Sequence, residues 1–272
     1  MGITDRMRPE IGAGGFARDD EAIGFFTRVR ALVSPGMTVV DLGAGRGSRY
    51  DDAESFHARF CSLHGEVARL VGIDVDRAVL ANTHLDEAHV VAPDAPWPMA
   101  SNSVDIVVSE YVLEHIEHPH RFAAELDRVL RPGGWLCALT PNRFGYVGIG
   151  NGLVPDRLKD ALMRRLWPGR RADDAFATHY RLNTLAALAR VFPEGEGWGH
   201  HSFAVAATPK YHGETAFLFR AVAAVQRLAP EAVQTNLMVF VRKGGAERPT
   251  ADAPALAPRV RDLADDGVAV EG

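Results

Sequence analysis

The sequence predicts an α/β domain built on a doubly wound, mainly parallel sheet. Short apolar runs stand at 37–41, 69–74, 104–109 and 134–140. Helical patterns alternate with them, notably 118–130, where Phe122, Leu126, Val129 and Leu130 share one face. A glycine-rich turn directly follows the first run, in Val39-Val40-Asp41-Leu42-Gly43-Ala44-Gly45-Arg46-Gly47-Ser48. Alternating strand and helix patterns argue for parallel strands joined by crossover helices, and continuous apolar runs for strands covered on both faces. In such sheets ligands bind beyond the carboxyl ends of the strands, near the point where strand order reverses. Asp41, Asp74, Asp94 and Glu110 all fall at or near such ends.

Residues 1–34 form an N-terminal helical segment, with a helix over 19–33 from the spacing of Ile23, Phe25, Phe26, Val29 and Leu32. The first strand then runs into glycines, the residues used where backbone must approach a ligand closely. A side chain at Gly43, Gly45 or Gly47 would crowd that approach or forbid the turn. The second strand, Val71-Gly72-Ile73-Asp74, ends on an acid. A dinucleotide fingerprint would need a later third glycine and an acid about 20 residues on. Here Ser48 takes the glycine's place and Asp74 lies further away. A phosphate-binding loop would need Lys followed by Ser or Thr, which Gly47-Ser48-Arg49 lacks. A nucleoside cofactor without a pyrophosphate remains.

The pattern resembles class I S-adenosylmethionine-dependent methyltransferases of the small-molecule type, over roughly residues 35 to 145. Asp41 to Gly47 resembles the family's first motif, and Gly72-Ile73-Asp74-Val75-Asp76 the second strand whose acid holds the ribose hydroxyls. Asp94-Ala95, ahead of Trp97-Pro98-Met99, matches the place of adenine recognition. Ser109-Glu110-Tyr111-Val112-Leu113-Glu114-His115 matches the fourth-strand tip, and Val129-Leu130-Arg131-Pro132-Gly133-Gly134 the turn before strand five. The resemblance implies a seven-stranded Rossmann-like methyltransferase sheet with a helical cap insertion after strand five. It also implies S-adenosyl-L-methionine as cofactor, held by Asp41, Gly43, Ala44, Gly45, Gly47, Asp74, Val75, Asp94, Ala95 and Glu110. The link between Gly47 and Val67 is longer than the family's usual one, so the first crossover helix is expected to be displaced or lengthened.

Physical chemistry gives these positions roles. A carboxylate such as Asp74 can accept from both ribose hydroxyls at once. Asp94 can accept from the adenine amino group while the Ala95 amide meets the ring edge. Asp41 orients the loop or meets the methionine amino group, and Trp97 stacks on adenine or fills the core. Methyl transfer needs mainly in-line alignment, a term that reaches about 7–11 kcal/mol in favourable systems. A hydroxyl acceptor must also lose a proton, a duty that suits histidine. His115 beyond the fourth-strand tip and His179 further on are the candidate bases, with Glu110 as a site wall or base. The plainer alternatives are that His115 buttresses its loop and His179 packs the cap. His200-His201 and His118-x-His120 lack a ligand framework, so no metal is expected.

After Thr140-Pro141-Asn142 the chain leaves the minimal fold, and about 143–183 reads as the acceptor cap. Its cations, Arg157, Lys159, Arg164, Arg165, Arg170, Arg171 and Arg181, outnumber its acids, which suits an anionic or lipid-linked acceptor or, more plainly, a solvated helix face. A helix at 184–192 follows, then strands at 202–208 and 235–242 with a helix at 213–229 between them. The methyltransferase domain spans 35–244, and 245–272, rich in Ala, Pro and acid, reads as a disordered tail.

The whole chain of 272 residues, 47% hydrophobic, can bury one sizeable core. A net charge of −5 gives no field for nucleic acid. Cys61 and Cys137 lack metal spacing and point to a reducing compartment. No signal peptide or apolar run of about 18 residues is visible, so the expected place is cytoplasmic. The expected reaction is methyl transfer to a small molecule, most simply at a hydroxyl of a sugar, glycolipid precursor or secondary metabolite. Carbon or nitrogen methylation, or cofactor binding without turnover, is the alternative, in a monomer or homodimer.

Overall fold

The computed structural model describes residues 2–153, 177–210 and 212–245. A short helix α1 (Ile3–Met7) precedes α2 (Glu21–Leu32), which starts where the Asp20 side chain accepts from the Ile23 amide. Such a cap satisfies a backbone donor that the first turn otherwise leaves unpaired. Next come β1 (Thr38–Leu42), α3 (Phe56–Cys61), β2 (Arg69–Asp74), β3 (Glu87–Val90) and β4 (Val104–Glu110). Then follow α4 (Pro119–Val129), β5 (Leu130–Pro141), α5 (Tyr146–Leu153) and α6 (Leu185–Val191). The chain continues through β6 (Trp198–His200), β7 (Phe203–Val205), α7 (Ala216–Leu228) and β8 (Asn236–Lys243).

The strands form one sheet in the order β3-β2-β1-β4-β5-β8-β6, and β7 also pairs with β8. Strands β1 to β5 are mutually parallel, while β8 runs antiparallel to β5. The expected seven strand positions are present. The last is shared, because β6 and β7 pair along β8 in one unbroken register, from Trp198 opposite Lys243 to Val205 opposite Asn236. Strand order reverses between β1 and β4, which places the ligand crevice beyond Leu42 and Glu110.

Both faces of the sheet are covered. In β1, Val40 and Leu42 face one core with Leu126 and Val129 of α4, while Val39 faces the other with Phe25, Phe26 and Val29 of α2. That two-residue alternation, apolar on both sides, explains why the strands read as continuous apolar runs. Leu126 is fully buried, and truncating such a residue to Ala costs about 2–5 kcal/mol.

The first crossover is displaced as expected but shortened instead of lengthened. A 3-10 turn at Ser48–Tyr50 takes the place where a helix would begin, and α3 is a six-residue helix at Phe56–Cys61. Ties to α2 hold it: His57 Nε2 lies 2.7 Å from Asp20 Oδ2, and Arg30 donates to the carbonyls of Phe60 and Ser62 at 2.6 and 2.8 Å. The middle of the expected cap and the expected tail, at 154–176 and 246–272, lie outside the described residues.

Candidate active site

The glycine loop leaves β1 at Gly43, with φ +77, and reaches the 3-10 turn through Gly47, with φ +78. Both positions are also sterically closed to a side chain. A Cβ on Gly43 would lie 2.2 Å from Val112 Cγ2, and one on Gly47 would lie 2.6 Å from Asn82 Oδ1. A Cβ on Gly45 would meet nothing within 4 Å, so this stretch of backbone is the part open to a ligand.

Two side chains, one ending β2 and one from the turn after it, hold the loop. Asp74 accepts from the Gly45 amide on Oδ2 and from the Asp76 amide on Oδ1, both at 2.8 Å. Each carboxylate oxygen has a second lone pair, so ribose hydroxyls can still be accepted. Asn82, which sequence reasoning missed, is buried and donates to the Ala44 and Gly45 carbonyls at 3.1 and 3.3 Å. No sequence pattern marks it, because its role exists only once the turn after β2 folds back against the loop.

Beneath the loop lies a cavity of about 250 Å³, lined by Asp41, Gly43, Arg49, Tyr50, Glu110 and Tyr111 among others. Arg49, also missed from sequence, forks onto both oxygens of Glu110, with Nη2 to Oε2 at 2.7 Å. Its guanidinium lies 5.3 Å from the centre of the Phe26 ring. Burial works against the arginine charge, but the Glu110 carboxylate more than offsets it and holds the guanidinium above its ordinary pKa. Asp41 has no such partner. Loss of water first, and the Glu110 charge next, push its carboxyl up to about 7. Cys61 also borders the cavity, and burial raises its thiol to about 12, which leaves it a poor nucleophile.

The adenine and acceptor sides are distinct. Asp94, at φ +60 beyond β3, lies 2.7 Å from His118 Nδ1 and 3.8 Å from an Arg121 nitrogen. Ala95 turns back to the Ala92 carbonyl at 3.1 Å, and Val75 is 47% exposed on the same flank. Trp97 is a core residue, packed with Phe122 at 6.2 Å between ring centres. Beyond β4, Tyr111 sits at φ +56 and donates to the buried Glu21 at 3.0 Å, while Lys210 pairs with the same carboxylate.

The turn Leu113–His115 carries the acceptor wall. Glu114 is buried and accepts from Thr140 at 2.9 Å, and Thr140 accepts from Asn183 at 2.7 Å. The Glu114 carbonyl receives the amides of His179 and Tyr180 at 2.7 and 3.1 Å. His115 Nδ1 lies 2.8 Å from the Ala177 carbonyl. A carbonyl only accepts, so Nδ1 carries the hydrogen and the neutral ring keeps its lone pair on Nε2. Glu110, expected as wall or base, has both oxygens engaged by Arg49. His179 is joined to the turn through its backbone, with its side chain half-buried. No cluster of three or more metal-ligating side chains occurs among the described residues.

A glycine loop at the switch point of a doubly wound sheet, with an acid at the tip of the neighbouring strand, defines a nucleoside-binding Rossmann-like fold. Residues 40–138 match the family model described as Methyltransferase domain. Over those residues the chain thus carries a methyltransferase domain, similar to S-adenosylmethionine-dependent methyltransferases. It is 35% identical over 117 residues to a probable S-adenosylmethionine-dependent methyltransferase of Mycolicibacterium smegmatis, covering 41% of this chain and 40% of that one. An uncharacterized methyltransferase of Mycobacteroides abscessus is 24% identical over 258 residues, covering 88% and 89%. A ubiquinone/menaquinone biosynthesis C-methyltransferase of Bordetella parapertussis is 34% identical over 123 residues, covering 43% and 46%. The matches to the M. smegmatis and Bordetella proteins thus span less than half of those relatives. Among solved structures, the [4+2]-cyclase SpnF has a TM-score of 0.50 at 15% identity, covering 82% of this chain and 81% of that one, a likeness of fold alone. No helix among the described residues is long and apolar enough to cross a membrane.

Proposed function

We propose that this protein transfers the methyl group of S-adenosylmethionine to the hydroxyl of a small-molecule acceptor, with His115 as the base. The observation that carries the reading is the His115 ring, whose Nδ1 contact with the Ala177 carbonyl puts the lone pair on Nε2. The cofactor, when bound, would supply a methyl group activated by its sulfonium sulfur, whose bond to the methyl carbon breaks on transfer to leave the thioether S-adenosylhomocysteine. The open backbone at Gly45, between glycines that admit no side chain, fits its close approach. Asp74 and Val75 hold the ribose end, Asp94 and Ala95 the adenine edge, and Gly43 to Gly47 the linking chain.

At the amino-acid end, Asp41 meets the ammonium group and Arg49 the carboxylate, with Glu110 anchoring Arg49 in place of acting as a base. His115 accepts the hydroxyl proton on Nε2 as the acceptor oxygen forms its bond to carbon. The alignment contributes more than the base, which typically adds about 10²–10⁴-fold. His179 serves by clamping residues 177–181 to the Glu114 turn, so that the end of the cap segment closes the acceptor side. Residues 35–244 act as one catalytic domain.

A second reading, methylation at carbon, is favoured by the 34% identity to the Bordetella C-methyltransferase. There His115 would take the proton from carbon. The test is titration with S-adenosylhomocysteine, followed by turnover with an acceptor panel and NMR assignment of the new methyl group. Micromolar cofactor binding with an O-methyl product supports the first reading, and a C-methyl product the second. A well-folded protein that binds no S-adenosylhomocysteine would sink both.

A further inference from the structure

Three arginines converge in a cleft of about 420 Å³ beyond the carboxyl end of β5. Arg143 and Phe144 form one wall, Tyr180 and Arg181 another, and Arg190 with the first turn of α6 the third. Folding places them there for separate reasons. Buried Asn142 donates to the Ala232 and Gln234 carbonyls and accepts from the Phe144 amide, which turns Arg143 and Phe144 outward. The Arg143 amide donates to the Asn183 carbonyl at 2.9 Å, so the segments at 143 and 181 lie side by side. Arg181 is steered by one bond, from Nη1 to the Glu117 carbonyl at 2.7 Å. Arg190 stands one helical turn from Ala186 and Ala187, whose small side chains leave the floor open.

Among the described residues the charge in this cleft has no carboxylate partner. Arg30, Arg69, Arg128 and Arg131 each meet a carboxylate within 2.8 Å. No carboxylate among the described residues pairs with Arg143, Arg181 or Arg190. Gathering like charges without a counter-ion is unfavourable, and an oxyanion removes that cost. Planar guanidinium forks suit the several oxygens of a phosphoryl group.

We propose that this cleft binds a phosphate or diphosphate group of the methyl acceptor. Tyr180 and Arg181 belong to the segment hung on the Glu114 carbonyl, one residue before His115. A molecule anchored there would lie beside the segment tied to the turn that carries the base. The link to the acceptor rests on the methyl-transfer reading, whereas anion binding by the cleft does not.

The test uses the full chain saturated with S-adenosylhomocysteine, titrated calorimetrically with inorganic pyrophosphate at low salt. Saturable binding is expected, weakened at least about tenfold in an Arg143→Gln/Arg190→Gln variant. Melting temperature and S-adenosylhomocysteine affinity should stay unchanged, since neither residue touches the glycine loop. Absence of saturable binding, or equal binding by the variant, overturns the proposal. Co-sedimentation with phosphatidylglycerol vesicles separates the sources. Vesicle binding lost in the variant points to a lipid headgroup, and pyrophosphate binding without vesicle binding points to a free phosphorylated metabolite. Should the protein bind pyrophosphate in this way but not S-adenosylhomocysteine, the methyl-transfer reading falls and the anion cleft stands.

Discussion

Arg49 grips both carboxylate oxygens of Glu110, joining the 3-10 turn after the glycine loop to the tip of β4. The pair spans the cavity where the amino-acid end of the cofactor is proposed to lie. Arg49→Ala should leave Glu110 and Asp41 facing each other without a cation. An unpaired charged hydrogen-bonding group costs about 2–3 kcal/mol. We expect a loss of that size in urea unfolding, with weaker S-adenosylhomocysteine binding by calorimetry. Unchanged stability and affinity would show that the fork is incidental.

Asn82 sets the shape of the loop through its bonds to the Ala44 and Gly45 carbonyls. Asn82→Ala removes a buried partner, a cost of about 1–3 kcal/mol, or roughly ten- to a hundredfold in affinity if it falls on the bound state. Asn82→Asp should be worse, because it sets an acceptor against two carbonyl acceptors. The check is S-adenosylhomocysteine titration of both variants, and Asp binding better than Ala would contradict the assignment.

Gly43 answers to two constraints that can be separated. Gly43→Ala brings a Cβ to 2.2 Å from Val112 Cγ2 and forces alanine to φ +77. Adding Val112→Ala removes the contact but not the left-handed strain, worth about 1–2 kcal/mol. Thermal unfolding should therefore show the double variant recovering part, and not all, of the stability lost by the single one.

Asp41 makes the ligand-free protein sensitive to pH. Its folded pKa, about 7, lies above the ordinary value of 3.8. The folded state thus holds a proton that the unfolded chain releases. Stability from this group is complete below about pH 4 and is lost as pH rises through about 7. Asp41→Asn should flatten that part of a stability profile measured by denaturant midpoint. In the wild type, a cationic ligand group should drive the proton off. Calorimetry of S-adenosylhomocysteine near pH 6 in buffers of different ionisation enthalpy would then show proton release, absent in the variant.

Much of the frame was legible in the sequence because burial on both faces writes strands as apolar runs, and α4 as a repeating apolar stripe. The expected helix at 19–33 is Glu21–Leu32, and the expected strand at 104–109 is Val104–Glu110. The glycines and Asp74 were readable because backbone angles and a bidentate acceptor each demand particular residue types. The polar strand β3, with only half-buried or exposed residues, carried no such signal. Nor did the interruption of the edge strand between His200 and Phe203, since pairing to β8 continues across it in the same register.

The sequence by itself determined the order of the apolar strands and the helices between them, the turn that must be glycine, and a site suited to a nucleoside. These are local properties, set by period, by allowed backbone angles and by side-chain chemistry. Tertiary structure alone decided that Arg49 meets Glu110, that Asn82 props the loop, and that Arg143, Arg181 and Arg190 share one cleft. Those partners stand 61, 38 and up to 47 positions apart. Their meeting depends on where crossovers return the chain to the sheet, a consequence of packing that no local pattern records.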